Sequence, residues 1–180
     1  DGGAALRKAA GDRAILRAIH FFEENRRVTS MIEDLNAVNA TVDPRAKEEH
    51  MAHFLAMVNQ SGVSSWELLQ NVYSPRRGRE QGLALALTVT RHFLRSTGAD
   101  TGACRVHGGG FAGTIQAYIP LDMINPYRIT MERIFSPGAV TVLRIRPVGA
   151  EELVFAPGGG FAGLRAPSPN GDSSDRRSGL

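Results

Sequence analysis

Between Ala103 and Ile119 the chain carries the segment that most limits its fold: Gly108-Gly109-Gly110-Phe111-Ala112-Gly113, with a strand-like run on either side. Ala103-Cys104-Arg105-Val106 precedes it. Thr114-Ile115-Gln116-Ala117-Tyr118-Ile119, alternating and rich in β-branched residues, follows it. Successive glycines admit φ > 0 and let a backbone approach another surface closely. That surface is either a neighbouring packed element, which makes the segment a tight turn, or a ligand phosphate.

Two phosphate-binding readings fail on context. Gly108-x-Gly110-x-x-Gly113 fits the letter of the dinucleotide-binding fingerprint, but there a helix must open directly after the loop to receive the pyrophosphate. Here a strand follows. A protein-kinase glycine loop does lie between strands, yet it requires a strand lysine, a His-Arg-Asp and an Asp-Phe-Gly further on. No lysine follows Lys47, and neither motif occurs.

Upstream of the loop the pattern is helical. Ile15, Ile19 and Phe22, then Met31, Leu35 and Val38, recur at three- and four-residue steps. Asp43-Pro44 supplies an N-cap and a first-turn proline for a helix that aligns Met51, Phe54, Leu55 and Val58. Ser64-Ser65-Trp66-Glu67 matches a capping box and predicts a further short helix. Gln81 to Ser96 aligns Leu83, Leu87, Thr90 and Leu94 and stops at Gly98, a C′ glycine. After the loop, Asp122 is the expected cap of a helix over 122–135, with Ile124, Tyr127, Met131 and Ile134 inward. Residues 139–146 form the expected last strand.

These elements predict an α+β fold over residues 1–150, in which helices pack on a small antiparallel sheet of about three strands. Residues 151–180, interrupted by Pro157, Pro167 and Pro169 and ending in serines, read as a disordered tail. The hexapeptide Gly-Gly-Gly-Phe-Ala-Gly recurs there at 158–163, without a strand pattern after it, and reads as an echo with no site.

Composition removes several function classes. A net charge of +3, carried almost wholly by arginine in clusters as short as Arg76-Arg77-Gly78-Arg79, gives no nucleic-acid footprint. No apolar run approaches the length of a membrane span, and no secretory leader opens the chain. The single cysteine, Cys104, rules out an internal disulfide framework or a cysteine-based zinc cluster, so a reducing, cytoplasmic setting is expected.

Arg105-Val106-His107-Gly108-Gly109-Gly110-Phe111-Ala112-Gly113-Thr114-Ile115 closely resembles the third conserved motif of galactokinases, members of the GHMP family of small-molecule kinases. The common family form is Arg-Met-Thr-Gly-Gly-Gly-Phe-Gly-Gly; here Val106 and His107 replace Met-Thr, and Ala112 replaces a glycine. Ser61-Gly62-Val63-Ser64-Ser65 and Leu69-Gln70-Asn71-Val72-Tyr73 resemble the family's upstream segment less specifically, and the likeness covers roughly residues 12–148. The resemblance implies a GHMP kinase C-terminal lobe, with its helices on a ferredoxin-like sheet, acting with ATP and Mg²⁺ to phosphorylate galactose at its C1 hydroxyl. It implies Gly108, Gly109, Gly110, Phe111 and Gly113 as nucleotide-facing loop residues. In that family the sugar-binding motif, the phosphate loop and the catalytic Arg and Asp belong to the N-terminal lobe, and no counterpart of them occurs here. No residue of this chain is therefore expected to be catalytic, and its implied partners are sugar, ATP and an N-terminal lobe. The alternatives are a sugar- and nucleotide-sensing protein on the same fold that does not turn over, or another GHMP sugar kinase.

Other candidates carry less. His107 has no acidic neighbour in sequence to orient it as a base, and reads as a loop hydrogen-bonder. His50 and His53 can share a helix face, but without a third ligand at matching spacing they read as solvent-edge histidines, with no metal expected. Met51 and Met57 read as core filling. Ser61, Ser64 and Ser65 lack a nucleophile-elbow context.

Overall fold

A computed structural model describes residues 2–98, 101–110, 113–145, 152–155, 157 and 161–165. Helices dominate: α1 (Gly2–Ala10), α2 (Asp12–Ala40), α3 (Pro44–Ser64), α4 (Gly82–Ser96) and α5 (Ile124–Ile134). The strands are β1 (Ala103–Val106), β2 (Ile115–Tyr118), β3 (Glu152–Phe155) and β4 (Phe161–Arg165). The chain divides into two compact units, 1–140 and 141–180. The architecture is α+β, and no helix among the described residues is long and apolar enough to cross a membrane.

In the first unit β1 and β2 are antiparallel, with Ala103 opposite Tyr118 and Val106 opposite Ile115. Their side chains alternate between two cores, as the two-residue period of a strand requires. Ala103 and Tyr118 pack with Phe54 and Val58 of α3. Cys104, Val106 and Ile115 pack on the other side with Val72, Leu83 and Leu87. Phe93 and Leu94 of α4 meet Tyr127 and Met131 of α5, so α5 shares the α4 side of the sheet.

The long helix α3 is set by local chemistry at its start and by tertiary chemistry at its end. Asp43 accepts a hydrogen bond from Arg45 N at 3.1 Å, with Pro44 in the first turn. Gly62 allows the helix to lie against β1: a Cβ there would be 2.9 Å from Cys104 O and 3.2 Å from Arg105 Cα. Asn59 serves the strand's free edge, donating from Nδ2 to Gly102 O (3.2 Å) and accepting from Cys104 N at Oδ1 (3.1 Å).

Several expectations need correction. Ser64 caps nothing: it is helical (φ −58°, ψ −41°), and α3 runs straight into a π-helical turn over Ser65–Leu69. Asp122 likewise lies within a 3₁₀ turn, Leu121–Met123, and makes no capping bond. Residues 139–145 form no strand; Val140 joins the α4–α5 cluster, while Leu143 and Ile145 are exposed and no strand pairs with them among the described residues. The sheet therefore has two strands where about three were expected. On α2, Ile19, Phe22 and Leu35 are exposed, as is Ile134 on α5. Periodicity identifies residues that share a face but not what covers that face.

The second unit contains a structure where a disordered tail was expected. β3 and β4 pair antiparallel, Leu153 opposite Leu164, with a bulge between Val154 and Phe155. Pro157 falls in the connection, where it interrupts no ladder. Residues 166–180 lie outside the described residues. The two hexapeptide copies differ in setting: the first falls between its strands, whereas Phe161, Ala162 and Gly163 of the second belong to β4.

Candidate functional site

The glycine loop connects β1 to β2 and is closed at its base by a hydrogen bond from His107 N to Thr114 O, 3.1 Å. Gly110 N donates to His107 O at 3.4 Å, which turns the chain back on itself. Gly108, Gly110 and Gly113 hold φ values of 58°, 77° and 81°, a region costly for residues with a Cβ. Phe111 lies outside the described residues.

Gly109 differs from its neighbours. Its φ is not positive, and a Cβ there would meet nothing within 4 Å. Its carbonyl accepts from Asn71 Nδ2 at 3.2 Å. Gly110, in contrast, packs on Asn71: a Cβ there would overlap the Asn71 carbonyl oxygen and lie 3.0 Å from Asn71 Cβ. The loop is thus seated on one buried asparagine, and Asn71 reaches it because Gln70 adopts a left-handed conformation (φ 53°) at the end of the π-helical turn.

Beneath the loop's root, α2, α3 and β1 meet in a polar knot. Glu24 accepts from Ser61 Oγ, from Arg27 Nε at 2.9 Å and from Arg105 Nη1 at 3.1 Å. Arg27 Nη2 donates to Ser64 Oγ at 2.9 Å, and Ser64 is also 2.9 Å from His20 Nδ1. Ser64 thus ties α3 to α2. A surface cavity of about 340 Å³ lies beside the knot, lined by Arg27, Asn59, Ser64 and Glu67 among others and by none of the described residues of the glycine loop.

The knot has a signed acid dependence. Burial pushes the Glu24 carboxyl up, but the Ser61 and Arg27 hydrogen bonds and the Arg105 charge outweigh it, leaving Glu24 below its ordinary value. Stability from Glu24 is therefore present above the usual glutamate range and lost as pH falls through the depressed folded value, where the unfolded chain holds the extra proton. Burial, reinforced by Arg27 and Arg105, also lowers His20 despite opposing Glu24 and Glu23 charges. Its loss begins as pH falls below about 6.5. The thermal midpoint should decline from about pH 6.5 downward and more steeply below about pH 4. Glu24→Gln should be less stable at neutral pH yet show a shallower low-pH limb. Midpoints recorded across pH for both proteins check this, and parallel low-pH limbs would remove Glu24 from the explanation.

Of the sequence-derived site residues, Gly108, Gly109, Gly110 and Gly113 share the one loop. His107 is exposed, and among the described residues its side chain makes no hydrogen bond. Asn71 and Gln70 went unrecognised as site residues, as did the knot around Glu24. Their partners are distant in sequence, 38 residues for Asn71–Gly109 and 81 for Glu24–Arg105, so no local pattern marks them.

No known family model matches the chain, and no characterised protein or solved structure matches it.

Proposed function

We propose that this chain is the C-terminal lobe of a GHMP-type kinase that transfers the γ-phosphoryl group of ATP to the C1 hydroxyl of galactose. The observation that carries the reading is Gly109. Positive φ accounts for glycine at 108, 110 and 113, and the seat on Asn71 adds to it at 110, but among the described residues nothing requires glycine at 109. An exposed glycine with open space before it suits the close approach of another group to the backbone. The motif Arg105 to Ile115 supplies the identity of that group, a nucleotide phosphate. Such a loop positions the phosphates and fits the charge that develops during transfer.

Mg²⁺ bound with ATP would supply charge neutralisation during transfer, and on this reading its ligands, like the catalytic Arg and Asp, would come from an N-terminal lobe rather than from this chain. This chain's part is to hold the glycine loop at a fixed height above β1 and β2. Arg105, fastened to Glu24, secures the strand from which the loop departs.

The test is ADP release from ATP in the presence of galactose. The chain alone should give none, and the same chain together with an N-terminal kinase lobe should turn over. Galactose-dependent turnover by the isolated chain, or none in the two-lobe protein, would overturn the assignment; binding of both ligands without turnover would instead identify a sensing protein.

A further inference from the structure

His50 and His53 are not independent surface histidines. Both reach from α3 to one carboxylate on α2: His50 Nδ1 lies 3.1 Å from Asp34 Oδ1, and His53 Nδ1 lies 2.6 Å from Asp34 Oδ2. Asp34 is the one buried residue of α2, with its side chain 8% exposed, while the imidazoles remain 42% and 51% exposed. The arrangement fixes the tautomer of each neutral ring. An ionised carboxylate only accepts hydrogen bonds, so each Nδ1 must carry the proton. A neutral imidazole has a single N–H, which leaves an unprotonated lone pair on Nε2 of each ring. Among the described residues neither Nε2 makes a hydrogen bond.

Three residues apart, the two rings project from the same face of α3. Two Nε2 lone pairs on one helix face, each ring oriented by a carboxylate at its other nitrogen, is the preparation that imidazole ligands receive at metal sites. We propose that His50 and His53 form a two-nitrogen site for a divalent transition-metal ion of the Zn²⁺, Ni²⁺ and Cu²⁺ class, with Asp34 as the positioning carboxylate behind both ligands. Asp34 is not itself a ligand, because both of its oxygens already accept from the imidazoles. This agrees with the absence, among the described residues, of any group of three or more His, Cys, Asp and Glu able to hold a metal. The remaining coordination positions go to water, so the site is open and weaker than a four-ligand structural zinc site. Imidazole ligands favour Cu²⁺ over both Ni²⁺ and Zn²⁺.

The site is independent of the kinase reading and can be tested on the untagged, metal-stripped chain. Calorimetric titration with Cu²⁺ or with Zn²⁺ should show one saturable equivalent, tighter for Cu²⁺. His50→Ala and His53→Ala should each weaken it by at least about tenfold, and Asp34→Asn by about 10- to 100-fold. The electron paramagnetic resonance of the Cu²⁺ complex should show two coupled imidazole nitrogens in the parent and one in each histidine variant. Circular dichroism of the metal-free variants establishes folding; if Asp34→Asn does not fold, the histidine pair and its nitrogen count decide alone. Absence of saturable binding overturns the proposal. So does binding of unchanged affinity in both histidine variants, which would place the ion at His20, His92 or His107.

Discussion

Gly62→Val should be among the most destabilising single substitutions available in the first unit, lowering stability by roughly 3 kcal/mol or more and the thermal midpoint by about 10 °C. Residue 62 sits in the last turns of α3, where replacing glycine with an ordinary residue gains up to about 1 kcal/mol of helix propensity. That gain is outweighed. A Cβ would sit 2.9 Å from the Cys104 carbonyl oxygen and 3.2 Å from Arg105 Cα, both strand backbone, which cannot swing aside as a side-chain tip can. Relief requires α3 to withdraw from β1, which would strain both Asn59 hydrogen bonds and the packing of Phe54 and Val58. Gly78→Val is the control, since a Cβ at Gly78 meets nothing within 4 Å. Denaturation of the two variants side by side checks the expectation; equal midpoints would mean that the helix–strand contact is softer than the geometry implies.

At Gly109 and Gly110 adjacent substitutions should fail in opposite ways. Gly110→Val combines a left-handed φ with overlap against the Asn71 carbonyl, and should cost about 2–4 kcal/mol of stability. Gly109→Val meets neither obstacle and should leave the thermal midpoint nearly unchanged. On the proposed kinase reading, the same Gly109→Val in the two-lobe protein should reduce turnover by about a hundredfold, since displacing a phosphate-facing loop by an ångström is enough to do so. In the sequence the two glycines are equivalent members of one loop. The contact with Asn71 separates them. Unchanged kcat and KM for ATP in Gly109→Val would reduce the loop to a structural turn.

What could be read from the sequence was local. Asp43-Pro44, the stop at Gly98 (φ 66°) and the apolar register of α4 depend on residues within one or two turns of each other, and all three stand in the structure. Leu83, Leu87, Thr90 and Leu94 are all buried. The strands around the loop were legible because β-branched alternation and glycine flank one another. Ser64 misled because Ser-x-x-Glu has the same spelling at the start of a helix and within one. The backbone angles of Ser64 show that the chain continues helically there, and its hydroxyl is engaged by His20 and Arg27 of α2. The β3–β4 hairpin was missed for the opposite reason: each run is short and unconvincing alone, and each becomes a strand through the other. The glycine loop could be located from its letters, but its seat on Asn71 could not.

The Glu24–Arg105 contact has a kinetic consequence. Its two ends are separated by 81 residues, so forming it closes a very large loop of chain whose entropy must be lost before the ion pair returns any free energy. The α2–α3 hairpin and the β1–β2 pair need only short closures and can form in isolation from one another. Topology of this kind slows folding without weakening the finished protein. The fastening beneath the glycine loop is therefore expected in the late part of assembly. Until it forms, the loop can already have its hairpin shape while its root is still unanchored to the helices.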